Sequence, residues 1–157
     1  MTNNYLKYIS KSELDTINFA HKIAKLLTKN DIVILNGDLG SGKTKFTEGL
    51  LSHFNIKDEI SSPTFNIVNE YTTNIFPIFH FDVYRLTSID EFYELGGTEY
   101  FERGLCIIEW GDFIKDCLPN NYIQIDFERD YMTEENIRII QIKKGGKRFE
   151  NLINWYF

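Results

Sequence analysis

The feature that most constrains this chain is the run Gly37-Asp38-Leu39-Gly40-Ser41-Gly42-Lys43-Thr44, set directly behind an apolar segment. It fits G-x-x-x-x-G-K-[ST], a pattern that carries meaning only between a strand and a helix. Asp31-Ile32-Val33-Ile34-Leu35 supplies the strand, short and β-branched, in the manner of one buried on both faces. Phe46, Leu50, Leu51 and Phe54 recur at helical spacing behind the motif and give the following helix its buried stripe. Glycines at positions 37, 40 and 42 let the backbone curl so that consecutive N–H groups point inward, and the helix adds its positive N-terminal end. Such a loop cradles phosphates. Asp38, Leu39, Gly40, Ser41, Gly42, Lys43 and Thr44 are therefore the expected nucleotide contacts, with Lys43 reaching the β and γ phosphates and the Thr44 hydroxyl ligating Mg²⁺.

A phosphate loop of this kind needs a carboxylate opposite it, at the end of a neighbouring strand, to hold magnesium or its water shell. Two apolar runs end that way: Leu105-Cys106-Ile107-Ile108-Glu109 and Ile78-Phe79-His80-Phe81-Asp82. Glu109 and Asp82 are candidates for metal ligand and for positioning an attacking water, and only one must hold the metal. Thr64 follows Pro63 on an irregular stretch where a threonine that senses the γ phosphate is expected, although a plain turn residue has the same spacing. His80, between two phenylalanines, reads as a packed group more readily than as a base. Arg85 suits either a phosphate or a carboxylate. No Asn-Lys-x-Asp element follows the loop, so nothing favours guanine.

The remainder of the chain is read as one domain, 1–157, of the α/β class. Ser10 and Glu13 have capping-box spacing ahead of a helix whose apolar side is Leu14, Ile17, Ala20, Ile23, Ala24 and Leu27. Strands are expected from about Phe65 to Tyr71 and from Ile75 to Tyr84, with a turn at Asn74. Ser88 and Glu91 repeat the capping-box spacing before Phe92 and Leu95, and Gly96-Gly97 stops that helix. Tyr122 to Phe127 and Asn136 to Ile142 form a final strand pair, and Phe149, Leu152, Ile153 and Tyr156 suit a closing helix. The architecture expected is a P-loop NTPase-like three-layer fold: a mostly parallel central sheet with antiparallel additions and flanking helices.

Composition narrows the functional classes. With 17 Lys+Arg against 23 Asp+Glu the net charge is −6, which argues against direct nucleic-acid binding because neutralising phosphates is its main source of affinity. Lys143, Lys144, Lys147 and Arg148 around Gly145-Gly146 are a local exception, read as a solvated turn or a docking patch. Two cysteines, Cys106 and Cys117, with no leader segment ahead of the chain, suggest reduced thiols in a cytoplasm. No apolar stretch approaches the roughly 20 residues that span a bilayer.

Taken in order and spacing, the loop Gly37–Thr44, then Ser62-Pro63-Thr64-Phe65, His80-Phe81-Asp82-Val83-Tyr84-Arg85 and Ile108-Glu109-Trp110 resemble the TsaE family, also called YjeE. The likeness runs over residues 10 to 142. It implies a small bacterial ATPase, weak alone, that acts with the TsaB and TsaD proteins to form threonylcarbamoyladenosine beside the anticodon of tRNAs, the tRNA being touched only indirectly. By motif match it implies that Lys43 binds phosphates, that Thr44 and Glu109 hold Mg²⁺, and that Thr64 and Asp82 belong to the catalytic region. It also implies that Glu13 and Thr16, at the start of the first helix, lie near the base of ATP. Gly111-Asp112 and Gly97-Thr98 depart from the family pattern, and the last fifteen residues match nothing in it.

The leading expectation is thus an ATP hydrolase in which Asp82 orients or deprotonates the attacking water while Lys43 and the loop amides stabilise the γ-phosphoryl transition state. A nucleotide-dependent binding module, with hydrolysis incidental, is the alternative. A kinase shares the loop, but no arginine-rich lid segment accompanies it here.

Overall fold

In the computed structural model, which describes residues 5–57, 60, 63, 67–132, 137–143, 150 and 154, the chain begins with β1 (Tyr5–Ser10), α1 (Glu13–Ala24), β2 (Ile32–Asn36) and α2 (Lys43–His53). It continues through β3 (Val68–Tyr71), β4 (Ile78–Asp82), α3 (Ile89–Glu94), a 3₁₀ segment (Gly97–Glu102) and β5 (Leu105–Glu109). A second 3₁₀ segment (Gly111–Cys117), β6 (Ile123–Arg129) and β7 (Arg138–Lys143) complete it. The strands form one sheet of seven in the order β1-β7-β6-β2-β5-β4-β3. β6, β2, β5 and β4 run parallel, whereas β7, β1 and β3 are joined antiparallel at the edges.

Alternation along the parallel strands divides the core in two. Val33, Leu35, Ile78, Leu105, Ile107, Ile123 and Ile125 face α1 and α2, meeting Phe19, Ala20, Ile23, Phe46, Leu50 and Leu51. Ile32, Ile34, Phe79, Phe81, Cys106 and Ile108 face the other way, against Phe92, Phe101 and Ile114 from α3 and the 3₁₀ segments. This is the three-layer α/β fold expected. Because β2 is central and flanked by β5 and β6, its C-terminal end opens into the crevice where such sheets bind ligands.

Several local expectations are corrected. The cap of α1 is Ser12, whose hydroxyl accepts the Asp15 N–H at 3.0 Å, and Ser10 belongs instead to β1, a strand that apolar periodicity alone did not reveal. Leu14 and Leu95 are exposed, and Phe19, absent from the expected apolar side, is among the buried residues of α1. Asn36 ends β2, and β6, expected only as half of an antiparallel pair, also joins the parallel set beside β2. β4 starts at Ile78, three residues later than its apolar run suggested. Ser88 caps α3 by accepting the Glu91 N–H, and Gly96, with φ 70°, stops it as expected. Thr64, most of the Ser61–Phe65 segment, three of the four basic residues Lys143–Arg148 and the closing helix fall outside the described residues. Both cysteines are free thiols, and burial pushes Cys106 up to about 12.

Candidate functional site

The chain leaves β2 through Gly37, a position with no room for a side chain. A Cβ on Gly37 would lie 2.6 Å from the Ser41 hydroxyl and 2.7 Å from the Phe127 carbonyl oxygen, so the loop is pressed onto β6. The Ser41 N–H donates to the Asp38 carbonyl at 3.0 Å and closes the turn. Gly42, in left-handed geometry, is the N-cap of α2 and has no side chain to offer its first amides. These amides meet a cleft of about 460 Å³ lined by the loop from Leu39 to Lys45. A helix N-terminus opening into a cleft is an anion site by geometry and dipole together. Ser41, buried in the same loop, has a hydroxyl without a hydrogen-bond partner among the described residues.

The far wall is built by strand ends. Asp82 closes β4, Glu109 closes β5, and the two are register partners, so both carboxylates reach the same cleft. Asp82 accepts the Tyr84 N–H at 3.0 Å. Burial holds its carboxyl above the ordinary range, the Tyr84 N–H opposing the shift and the neighbouring Glu109 charge adding to it. Glu109 is buried and accepts from His80 Nε2 at 2.9 Å.

Lys43 lies between the walls. Its ammonium donates to the Gly37 carbonyl and, at 3.3 Å, to that of Asp38, and it sits 4.0 Å from the centre of the Trp110 ring. Burial lowers its pKa, with Glu109, Asp82 and Asp38 pulling the other way. Trp110 adopts φ 63° and ψ 31°, a left-handed conformation costing a bulky residue on the order of 1–3 kcal/mol. Its N–H bond to the Leu35 carbonyl at 2.9 Å fixes that conformation, and Tyr84 packs on the indole at 5.0 Å.

The expected residues are therefore brought together with few exceptions. Gly40, Ser41, Gly42, Lys43, Thr44, Asp82, Glu109, Glu13, Thr16 and Arg85 all line the cleft. Leu39 lines it too, yet stands 92% exposed at the tip of the loop. Asp38 instead borders an adjoining open depression with Asn36, Asp112 and Phe113, and it meets Lys43 only through its backbone carbonyl. Glu13 lies 4.0 Å from the Lys45 ammonium, and the Thr16 hydroxyl is 2.6 Å from that of Ser10.

Arg138 lines the same cleft and was not anticipated. It sits directly opposite Arg129 across β6 and β7, and its stem passes 3.8 Å from where a Cβ of Gly42 would be. Two facing cations are unfavourable unless an anion joins them, and burial together with Arg129 lowers the Arg138 pKa. Only the register reveals this, because nothing local in the sequence marks the arginine.

No cluster of three His, Cys, Asp or Glu side chains able to hold a metal occurs among the described residues. What the cleft offers is sparse and hard: the Thr44 hydroxyl with the Glu109 and Asp82 carboxylates. That donor set suits Mg²⁺, which keeps waters and phosphate oxygens in its shell and needs only one or two protein ligands.

Comparison with known proteins gives a consistent result. The family model described as "Threonylcarbamoyl adenosine biosynthesis protein TsaE" matches residues 10–138. The tRNA threonylcarbamoyladenosine biosynthesis protein TsaE of Rickettsia typhi is 43% identical over 142 residues, covering 90% of this chain and 96% of that one. The protein of the same name from Bacillus subtilis is 36% identical over 148 residues, covering 94% and 90%. The crystal structure of Bacillus subtilis YdiB is similar in fold, with a TM-score of 0.77 and 31% identity over 99% of this chain and 95% of that one.

Proposed function

This chain is a member of the TsaE family, with a role in tRNA threonylcarbamoyladenosine biosynthesis, and from that premise we propose that it is a magnesium-dependent ATP hydrolase serving the TsaB and TsaD proteins. The observation that carries the proposal is the convergence of Lys43, Thr44, Asp82 and Glu109 on one cleft at the end of β2. Lys43 and the first amides of α2 bind the phosphates and stabilise the charge that develops on the γ-phosphoryl oxygens. The Thr44 hydroxyl and the Glu109 carboxylate hold Mg²⁺, whose chemistry when bound is to neutralise the β and γ oxygens. Asp82, raised toward neutrality by burial, is suited to take or orient the proton of the attacking water.

The nucleoside extends away from the carboxylates on the β4–β5 side of the sheet, toward Glu13, Thr16 and Arg138, which line the cleft near the β1–β7 side. Arg85 serves the γ phosphate in cis, and a partner completes the transition-state charge. The net charge of −6 fits a protein that acts through TsaB and TsaD in the cytoplasm and meets tRNA only indirectly. No helix among the described residues is long and apolar enough to cross a membrane.

Phosphate release from Mg-ATP, measured for this protein alone and with purified TsaB and TsaD, tests the proposal, with Lys43→Ala and Glu109→Ala as controls. Stimulation lost in both controls is the expected result. Absence of release under every condition overturns hydrolysis.

One observation favours a second reading, a nucleotide-dependent binding module. Leu39 and Tyr84 at the cleft mouth are 92% and 67% exposed, apolar surface better suited to a partner than to chemistry. Asp82→Asn separates the two: a module keeps partner function in this variant, and a hydrolysis-driven cycle stops.

A further inference from the structure

His80 and Glu109 are a polar pair buried where an apolar pair would pack as well. His80 stands opposite Ile107 in the β4–β5 register and reaches diagonally to Glu109, with Nε2 2.9 Å from Oε2. The histidine is fully buried and the glutamate nearly so, and Ile78 and Ile107 beside them belong to the core packed under α1 and α2. The other ring nitrogen, Nδ1, has no hydrogen-bond partner among the described residues. Stability alone does not account for this arrangement, since buried ionisable pairs are commonly matched or bettered by apolar residues of similar volume, and an unpartnered ring nitrogen adds a cost.

What the pair does achieve is orientation. A carboxylate at the end of a strand turns about its terminal bond, and a hydrogen bond from a ring locked in the core removes that freedom. With the Glu109 carboxylate accepting at Oε2, His80 Nε2 is the donor, and the bond fixes the rotation of the carboxylate.

We propose that His80 is the positioning residue for Glu109, holding its carboxylate in the single orientation that receives a divalent cation beside Thr44. This rests on the nucleotide reading of the cleft and adds to it a named determinant of metal affinity. The histidine touches neither substrate nor metal, and it acts only through Glu109. Partners of this type that orient a metal ligand typically account for about 10–100-fold in metal affinity.

The test uses the full chain and calorimetric titration of ADP with and without Mg²⁺. His80→Leu is expected to bind ADP alone as the wild type does, but to weaken Mg²⁺ binding to the ADP complex by about 10–100-fold. His80→Gln, whose amide N–H reaches where Nε2 lies, is expected to restore most of that affinity. A purely structural role does not distinguish metal from metal-free binding, so His80→Leu with unchanged Mg²⁺ dependence overturns the proposal. Equal loss in the Leu and Gln variants overturns it too, by showing that ring packing and not the hydrogen bond matters.

Should the Leu variant not fold, the wild-type protein still decides. Long-range ¹H–¹⁵N spectra of the His80 ring must place the hydrogen on Nε2, and the Nε2 resonance must shift when Mg²⁺ is added to the ADP complex. A hydrogen on Nδ1, or a resonance indifferent to Mg²⁺, overturns the role of His80. Failure of the wild type to bind ADP at all overturns the nucleotide reading instead, and the two failures are distinct.

Discussion

Two glycines of the same loop should respond very differently to the same substitution. At Gly37 an alanine Cβ meets the Ser41 hydroxyl at 2.6 Å, the Phe127 carbonyl oxygen at 2.7 Å and the Phe127 Cβ at 2.9 Å. Two of these atoms belong to a residue anchored in β6, so the loop must move. Overpacking of this kind costs about 1–3 kcal/mol, and the positive φ of 155° adds a penalty of similar size. At Gly40, with φ 78°, a Cβ meets nothing within 4 Å, leaving a strain of about 1–2 kcal/mol. Loss of unfolded-state freedom offsets about 0.4–1 kcal/mol in both.

Gly37→Ala should therefore be the less stable of the two by about 2 kcal/mol. That corresponds to a Tm lower by about 4–8 °C in a domain of this size. Thermal unfolding of both variants, beside ADP binding, checks it. Gly37→Ala should also lose nucleotide affinity, since the amides of the loop are displaced from β6, whereas Gly40→Ala should lose little. Equal Tm values would refute the claim that contact with β6 shapes the loop.

Four further outcomes are expected. Asp82→Asn should lower phosphate release by about 10²–10⁴-fold while leaving ADP binding intact, as single-turnover and titration measurements would show. Because burial raises the Asp82 pKa, the folded chain binds this proton more tightly than the unfolded one, and stability falls as pH rises from the ordinary value of 3.8 through the folded-state value. The Tm of Asp82→Asn relative to wild type should accordingly increase from acid to neutral pH, and a constant difference would contradict the burial. Arg138→Ala should weaken ADP binding by about tenfold, the scale of one hydrogen bond to a charged group, and unaltered affinity would remove Arg138 from the site. Phe46→Ala, fully buried with its ring centroid 5.2 Å from Phe127 and 6.2 Å from Phe19, should cost about 3–5 kcal/mol in a denaturant titration.

The parts of this site that were legible in the sequence are those in which chemistry and periodicity coincide over a short stretch. Ile32 to Leu35 followed by Gly37 to Thr44 leaves one geometry, and the apolar runs ending in Asp82 and Glu109 announce strand ends by their change of character. β1 was not legible: Leu6, Tyr8 and Ser10 alternate inward, but Ser10 is polar while the exposed Tyr5 and Ile9 are apolar, so hydropathy does not follow burial, and the strand's place is set by pairing with β7, more than a hundred residues away. The misplaced cap has a similar origin. Ser10 and Ser12 both precede Glu13, and only the strand pairing of Ser10 with Arg138 removes it from contention, leaving Ser12 to accept the Asp15 N–H. Arg138 was invisible for the same reason, its value lying in register and not in spacing. His80 shows a further limit, since a histidine between phenylalanines reads as core, and its diagonal reach to Glu109 exists only once β4 and β5 are side by side.

The charges of the cleft also give it a direction. Burial is the largest influence on both Asp82 and Lys43, raising one and lowering the other, so each is held in surroundings that favour its neutral form. Charges in such surroundings interact more strongly with one another than they would in water. Asp82 and Glu109 stand at one end, register partners on β4 and β5, while Arg138 with its facing Arg129 stands at the start of β7 across the loop. A polyanion entering this cleft is repelled by the carboxylate end unless a cation comes with it, and is drawn toward Lys43, α2 and Arg138 without one. On the proposed reading, the cleft takes the nucleotide and the divalent cation as a unit at the carboxylate end. Affinity for the triphosphate should depend on Mg²⁺ more steeply than affinity for a monophosphate, which does not reach Asp82 and Glu109.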